Sequence, residues 1–396
     1  MVRPMTETAV LARDVGVTAD PAKKALFDPR LAPVVAVAAF CFSRALLLFL
    51  AVAVGRDLGL SGLDATVRWD AQRFVTIATD GYSLNLKDAW AAFFPGLPLL
   101  LRGLNALGLS FGLAGTLLST ACSAVVAWGL YRLARGGVAG AVTVVAWCFA
   151  PVAVFTVVPY TESPFLALAV WAWLKARDGQ WRWAAVLAAG SCLFRVSGLF
   201  LVGALALMAL FGADEARRPP SWRVLSRRLV WLVLPLAVLF SFMLYERVHF
   251  GTWTAWFDAQ RVGWQRTFHW PWQAYSETVK AIDAYPNDWW IFIAEIAAFW
   301  VGLAVTVSSL VRRRLTDAGW VGVQVVVFST SVWFMSVPRG GLLWFPLWTA
   351  FGETASLRLR GVWYWLRLLL LSVVLLASAT MMVVWAVRYY RYDWAG

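Results

Sequence analysis

Apolar runs of roughly 20 residues, the length that crosses a hydrocarbon core of about 30 Å as a helix, recur from residue 32 almost to the carboxyl end. Inside lipid, every backbone N–H and C=O must find a partner within the chain, which leaves helices or a closed barrel. No sustained polar–apolar alternation marks barrel strands, so the runs read as helices. With 61% hydrophobic and only 14% charged residues, the chain has too little polar surface to cover a soluble globule of 396 residues. The expectation is an all-α polytopic membrane protein, with a polar cytoplasmic tail over 1–31 and one integral domain over 32–396. The first span, about 32–54, is too long for a signal-peptide core and reads as an uncleaved anchor.

Further hydrophobic segments run at about 111–133, 137–157, 162–177, 182–193, 198–212, 229–248, 289–311, 319–337, 341–355 and 363–388, with a juxtamembrane element near 92–107. They predict about eleven helices. The stretch 181–212 reads as two short helices broken at Phe194-Arg195-Val196-Ser197-Gly198, because an arginine in the middle of a lipid-facing helix is costly. No internal repeat or low-complexity linker divides the chain.

A formal charge of +13 raises the question of nucleic acid, but the basic residues sit in short loops between apolar runs. Positive-inside topology accounts for them without nucleic acid. With the amino terminus cytoplasmic, Arg132/Arg135, Lys175/Arg177/Arg182, the Arg217–Arg228 loop, Arg312-Arg313-Arg314 and Arg358/Arg360 all fall inside. The Trp69-Asp70 loop, Pro159–Ser163, the Arg195 break, the 249–288 loop and Pro338–Gly341 then fall outside. Five polar motifs from separate parts of the chain are thus expected to share one membrane face, with outer loops forming a site. Cys41, Cys122, Cys148 and Cys192 lie in apolar segments away from His249 and His269, so neither a disulfide framework nor a metal site is expected.

In the first outer loop, Asp70, Arg73 and Asp80 are spaced for one face of an interfacial helix whose apolar face is Phe74, Ile77 and Ala78. Asp70 reads either as a catalytic acid at the interface or as half of a solvated Asp70–Arg73 pair. Glu162, just after Pro159, either caps a helix or positions substrate, and Tyr160 reads as an aromatic-belt residue or part of that site. Trp69, Trp256 and Trp264 in outer loops are candidates to stack on a sugar or line a lipid's path.

Arg68-Trp69-Asp70-Ala71 with Ile77-Ala78 and Gly81-Tyr82, Phe93-Phe94-Pro95 with Pro98-Leu99-Leu100, and Pro159-Tyr160-Thr161-Glu162-Ser163 resemble signature blocks of the PIG-V mannosyltransferase family. Phe194-Arg195 with Ser197-Gly198, Ala259-Gln260 with Gly263-Trp264-Gln265-Arg266, and Pro338-Arg339 with Phe345-Pro346 continue that resemblance in the same order. The resemblance implies a GT-C glycosyltransferase of the plasma membrane, or of the endoplasmic reticulum in a eukaryote, with its active site on the extracytoplasmic face. It implies transfer of mannose from a polyprenyl-phosphate donor to a lipid or glycan acceptor, with inversion. Asp70 matches the general base. Trp69, Arg73, Asp80, Tyr160, Glu162, Gln260 and Trp264 fall in the substrate-binding blocks, and Arg195, Arg339 and Arg266 are candidates to neutralise the leaving phosphate without a metal. For each arginine the alternative is an interfacial anchor or an ion pair with Glu162 or Asp258.

The chain departs from the family pattern at Gly96-Leu97, where a bulky apolar and aromatic pair is usual. It departs again at Arg195, which lacks a following asparagine, and at Arg339, which precedes glycines instead of tyrosine. These departures bear on the acceptor. The alternatives are a GT-C transferase using another polyprenyl-phosphate sugar, such as arabinose or glucose, or a transporter or flippase, whose charges would gather near mid-membrane.

Overall fold

A computed structural model describes residues 26–212 and 220–395, so the expected tail over 1–31 lies largely outside the described residues. The described chain is all-helical. In order come α1 (Ala32–Asp57), α2 (Asp70–Asp80), α3 (Gly96–Ala106), α4 (Phe111–Leu133), α5 (Gly137–Cys148), α6 (Glu162–Arg177), α7 (Trp181–Cys192) and α8 (Ser197–Phe211). Then follow α9 (Trp222–Leu229), α10 (Val233–Phe250), α11 (Ala255–Trp264), α12 (Pro271–Ala284), α13 (Trp289–Val311), α14 (Leu315–Ser329), α15 (Val337–Gly341), α16 (Phe345–Ser356) and α17 (Gly361–Tyr390).

Among the described residues, five segments are long and apolar enough to cross a bilayer: Pro29–Asp57, Phe111–Leu133, Trp222–Phe250, Trp289–Val311 and Gly361–Tyr390. The remaining expected segments form shorter helices. α5, α7 and α16 have 12 residues each, about 18 Å of helix against a hydrocarbon core of about 30 Å. The run expected at 137–157 ends as a helix at Cys148 and continues through a 3₁₀ turn at Ala153–Thr156. The run expected at 319–337 stops at Ser329, before the left-handed Ser336 (φ 62°) starts α15. The 249–288 segment, expected as a loop, carries α11 and α12, and the break at 194–196 separates α7 from α8 as expected.

The short helices α5, α6, α7 and α8 lie largely inside, while the long α1, α10, α13 and α17 are mostly exposed. α6 packs against α4, α7 and α8, while α5 packs against α1, α4 and α16. By contrast α17 leaves Leu366, Leu369, Leu370, Val373 and Leu376 exposed, and α1 leaves Val34, Val37, Phe42 and Phe49 exposed. Each such side chain held in water forgoes roughly 1.5–3 kcal/mol, and a contiguous patch of this kind is what a lipid solvent covers.

Inside α1, Arg44 is a buried cation that donates to Cys148 O at 3.3 Å and to Thr156 Oγ1, with Ser123 Oγ at 3.5 Å. The negative end of α5 supplies part of the compensation that a carboxylate would otherwise give. Arg44 thereby ties α1 to the turn leading into Tyr160.

Candidate functional site

Four of the five expected polar motifs meet in one ion-paired cluster, and the fifth lies beside it. Glu162 begins α6 and is fully buried, with Oε1 2.6 Å from Arg195 Nη1 and 2.8 Å from Arg339 Nε. Arg339 reaches on to Asp70, with Nη1 3.3 Å from Oδ2. Arg195 Nη1 also donates to Thr161 Oγ1 at 3.0 Å. The Arg339 Nε contact is close but poorly aligned for hydrogen bonding, and Arg195 Nε, Arg339 Nε and Glu162 Oε2 are all buried without a hydrogen-bond partner. Asp70, Arg195 and Arg339 keep 20%, 16% and 16% of their side-chain surface exposed, so the cluster opens onto its surroundings through Asp70 and the arginines.

Each side chain is aimed by its element. Trp69, immediately before α2, holds φ at 53°, a conformation that costs an L-residue on the order of 1–3 kcal/mol. The C-terminal segment holds it there. Trp69 stacks on Tyr392 with ring centres 4.9 Å apart and donates Nε1–H to Asp393 O at 3.1 Å, while the Tyr389 hydroxyl donates toward Thr66 O at 2.9 Å and Arg68 O at 3.0 Å. The Asp70 N–H donates to the Tyr160 hydroxyl at 3.2 Å.

Arg195 is placed by the α7–α8 turn, which is pinned when Gly96 N–H donates to Leu193 O at 2.8 Å. A Cβ at 96 would stand 2.7 Å from that same oxygen, and one at Gly340 would stand 2.4 Å from Phe328 Cε2. A Cβ at Gly96 would thus press on backbone, and one at Gly340 on the Phe328 ring.

Arg339 is placed by α15, whose first amides are capped by a buried carboxylate of α13. Ser336 N–H and Val337 N–H donate to Glu295 Oε1 and Oε2 at 2.8 and 2.7 Å. The guanidinium lies 5.3 Å from the Phe155 ring centre and 5.2 Å from that of Tyr160.

Burial works to lower the Arg339 pKa, but Glu162 and Asp70 outweigh it and raise the value. Burial lowers that of Arg195 despite Glu162. Arg266, on the α11–α12 connection, is lowered to about 10 by burial and by the neighbouring Arg339, and its Nε is buried without a partner. Arg266 and Arg339 stay cationic near neutrality. Burial also pushes the Tyr160 hydroxyl well up, keeping it a neutral partner for the Asp70 amide.

Several expectations are corrected. Asp70 pairs with Arg339, not Arg73, whose Nη1 donates to Asp88 O at 2.7 Å. Asp80 shares the helix face but sits exposed at the far end of α2, about 15 Å along the axis. Tyr160 is buried at 2% exposure, so it is no belt residue. Glu162 stands in the first turn of α6, as expected, and also spends Oε1 on two arginines, while Asp258 pairs with Arg261 at 2.7 Å instead of a cluster arginine. Trp69 uses its face on Tyr392, and Trp264 packs on Phe93 at 5.6 Å. Gln260 contributes its carbonyl to Arg266 N–H at 3.2 Å. Glu295 and Tyr389 were missed. Glu295 left a readable sign, as the only ionisable side chain in the apolar run of α13.

No protein-family model and no curated protein sequence matches this chain.

Proposed function

We propose that the protein is a membrane glycosyltransferase that moves a sugar, mannose by the resemblance of its blocks, from a polyprenyl-phosphate donor to an acceptor hydroxyl. The observation that carries this reading is the cluster itself: one partly open carboxylate, Asp70, beside three guanidinium groups, of which Arg266 is not ion-paired among the described residues. Such a set suits an acid–base step next to a phosphate anion.

In the proposed step the acceptor oxygen attacks the anomeric carbon and the acceptor proton passes to Asp70. The bond from that carbon to the phosphate oxygen breaks, and its electron pair leaves with the lipid phosphate. Backside attack inverts the anomeric centre. Arg339 now bridges Asp70 and Glu162, so a phosphate competing for its fork frees the Asp70 carboxylate as donor binds. Glu162 and Tyr160 act as positioning groups, the first through the arginines and the second through the Asp70 amide. The finer fold reading, a GT-C-type bundle of about eleven membrane helices with the site on the outer face of the plasma membrane, belongs to the same proposal. The convergence of five sequence-distant motifs supports it.

The test is transfer by purified protein from radiolabelled polyprenyl-phosphate mannose to a lipid extract. Labelled product that disappears with Asp70→Asn is expected. Absence of product with mannose, arabinose and glucose donors alike, in protein shown to be folded, overturns the transferase reading.

A further inference from the structure

The α6–α7 hairpin has a second end, where Gly179 and Gln180 turn the chain. It lies one α7 length from Arg195, 12 residues or about 18 Å. A groove of about 600 Å³ opens there, lined by Arg182, Arg227 and Arg228 together with Trp181, Trp183 and Trp231. Among the described residues no acidic side chain lines it.

Two elements supply the charges, the start of α7 and the last turn of α9. Arg182 lies 5.4 Å over the Trp231 ring, and Arg228 lies 5.7 Å over that of Trp181 while donating Nη1–H to Ala209 O at 3.0 Å. Among the described residues none of the three is ion-paired. Indole faces thus orient two of the guanidinium groups while leaving most of their N–H donors unspent.

The position of the groove, at the head of an apolar segment long enough to cross a bilayer, points to the kind of ligand. Arg227, Arg228 and Trp231 fall in the first turns of the membrane span Trp222–Phe250. Trp183, 61% exposed, stands on the same rim, and tryptophan is a residue of the headgroup level. A ligand here meets arginine forks at a membrane surface and indole surface toward the hydrocarbon.

We propose that this groove is a binding site for the phosphate headgroup of an anionic membrane phospholipid. The guanidinium groups hold the phosphodiester, and the acyl chains run down beside Trp183 and Trp231. The face is the one whose basic loops mark it as cytoplasmic, where anionic lipid attracts arginine. Nothing in this depends on the transferase reading, because the groove shares no side chain with the Asp70 cluster.

The experiment is native mass spectrometry of the detergent-purified full chain, titrated with phosphatidylglycerol or phosphatidylcholine, with inorganic phosphate as competitor. Arg182→Gln, Arg227→Gln, Arg228→Gln and the triple variant are compared with Arg223→Gln, on α9 but outside the lining. Phosphatidylglycerol is expected to bind in preference to phosphatidylcholine. Affinity should fall about 5-fold for each single variant and on the order of 100-fold for the triple, while Arg223→Gln stays within about 2-fold of wild type. Melting temperature and size-exclusion profile report folding; if the triple variant fails them, the single variants decide. Equal binding of the two lipids, lining variants that bind like wild type, or displacement of the lipid by equimolar inorganic phosphate would each overturn the proposal, the last by making this a free-anion site.

Discussion

The two ends of the α6–α7 hairpin both hold arginines, and they hold them by different chemistry. At one end Arg195 and Arg339 meet the fully buried carboxylate of Glu162 at 2.6 and 2.8 Å. At the other, Arg182 and Arg228 lie on the faces of Trp231 and Trp181, and among the described residues neither is ion-paired. Carboxylate pairing in a dry setting fixes both position and charge balance, and it makes each partner dependent on the others. Aromatic support fixes position alone, leaving the charge to be met from outside. The first arrangement suits a pre-organised reaction centre and the second a surface awaiting an anion.

The comparison breaks most readily at Glu162. Glu162→Gln keeps the shape but leaves Arg195 and Arg339 with only Asp70 between them. Loss of a buried partner should cost about 3 kcal/mol of stability, and transfer should become undetectable. Thermal unfolding in detergent reads the first effect and the donor assay the second. A variant that melts with wild type would show that the two ends of the hairpin do not differ in the way described.

Asp70→Asn is the next largest effect and separates chemistry from architecture. Its Oδ2 contact with Arg339 is long, 3.3 Å, and the side chain is partly open, so folding should survive. Turnover should fall by roughly 10²-fold or more, the scale of losing a general base. Near-normal transfer by the purified variant removes Asp70 from the mechanism.

Arg195→Lys and Arg339→Lys sharpen the claim that geometry, and not charge alone, matters at the acid end. Lysine keeps the cation but cannot reproduce the fork by which Arg339 spans Glu162 and Asp70, and at Arg195, where Nη1 alone meets Glu162 and Thr161, it removes the nitrogens a donor phosphate would take. Each should lower turnover about 10-fold or more with a weaker donor KM, while Arg223→Lys, exposed on α9, changes neither. Lysine variants equal to wild type at both positions would reduce these arginines to interfacial anchors.

Much of this was readable in the sequence because hydropathy and motif order are local signals. The segment limits of α1, α4, α6, α7, α8, α13 and α17 follow from apolar runs, and counting loops puts the five motifs on one expected face. Partner choice was not readable, since Asp70 meets Arg339 across 269 positions of sequence. The i,i+3 neighbour Arg73 looked as good on spacing alone. Nor did any pattern announce that the C-terminal tyrosines would clamp the Trp69 turn, because a tyrosine at a membrane surface is already explained by the aromatic belt. The expected count of about eleven helices exceeds the five segments that are long and apolar enough to cross a bilayer, because a hydropathy run does not report the length of its helix. α5 and α7, at 12 residues, are each shorter than a full crossing.

The smallest expected effects come from two glycines of α3 and test whether the acid end is held by close packing. A Cβ at Gly96 would meet Leu193 O at 2.7 Å, two residues before Arg195, whereas one at Gly103 meets nothing within 4 Å. Gly96→Ala therefore has to push the α7–α8 turn aside, at a cost of about 1–3 kcal/mol, and should lower turnover by moving Arg195 off Glu162. Gly103→Ala sits in the interior of a helix with open space around it, so it should stabilise α3 by about 0.5–1 kcal/mol and leave turnover unchanged. Melting curves and donor turnover for the pair give opposite signs in stability if the contact is real. If both substitutions stabilise, the Gly96–Leu193 approach is not what sets Arg195. The ion pairs with Glu162 must then hold that end of the hairpin without help from backbone packing.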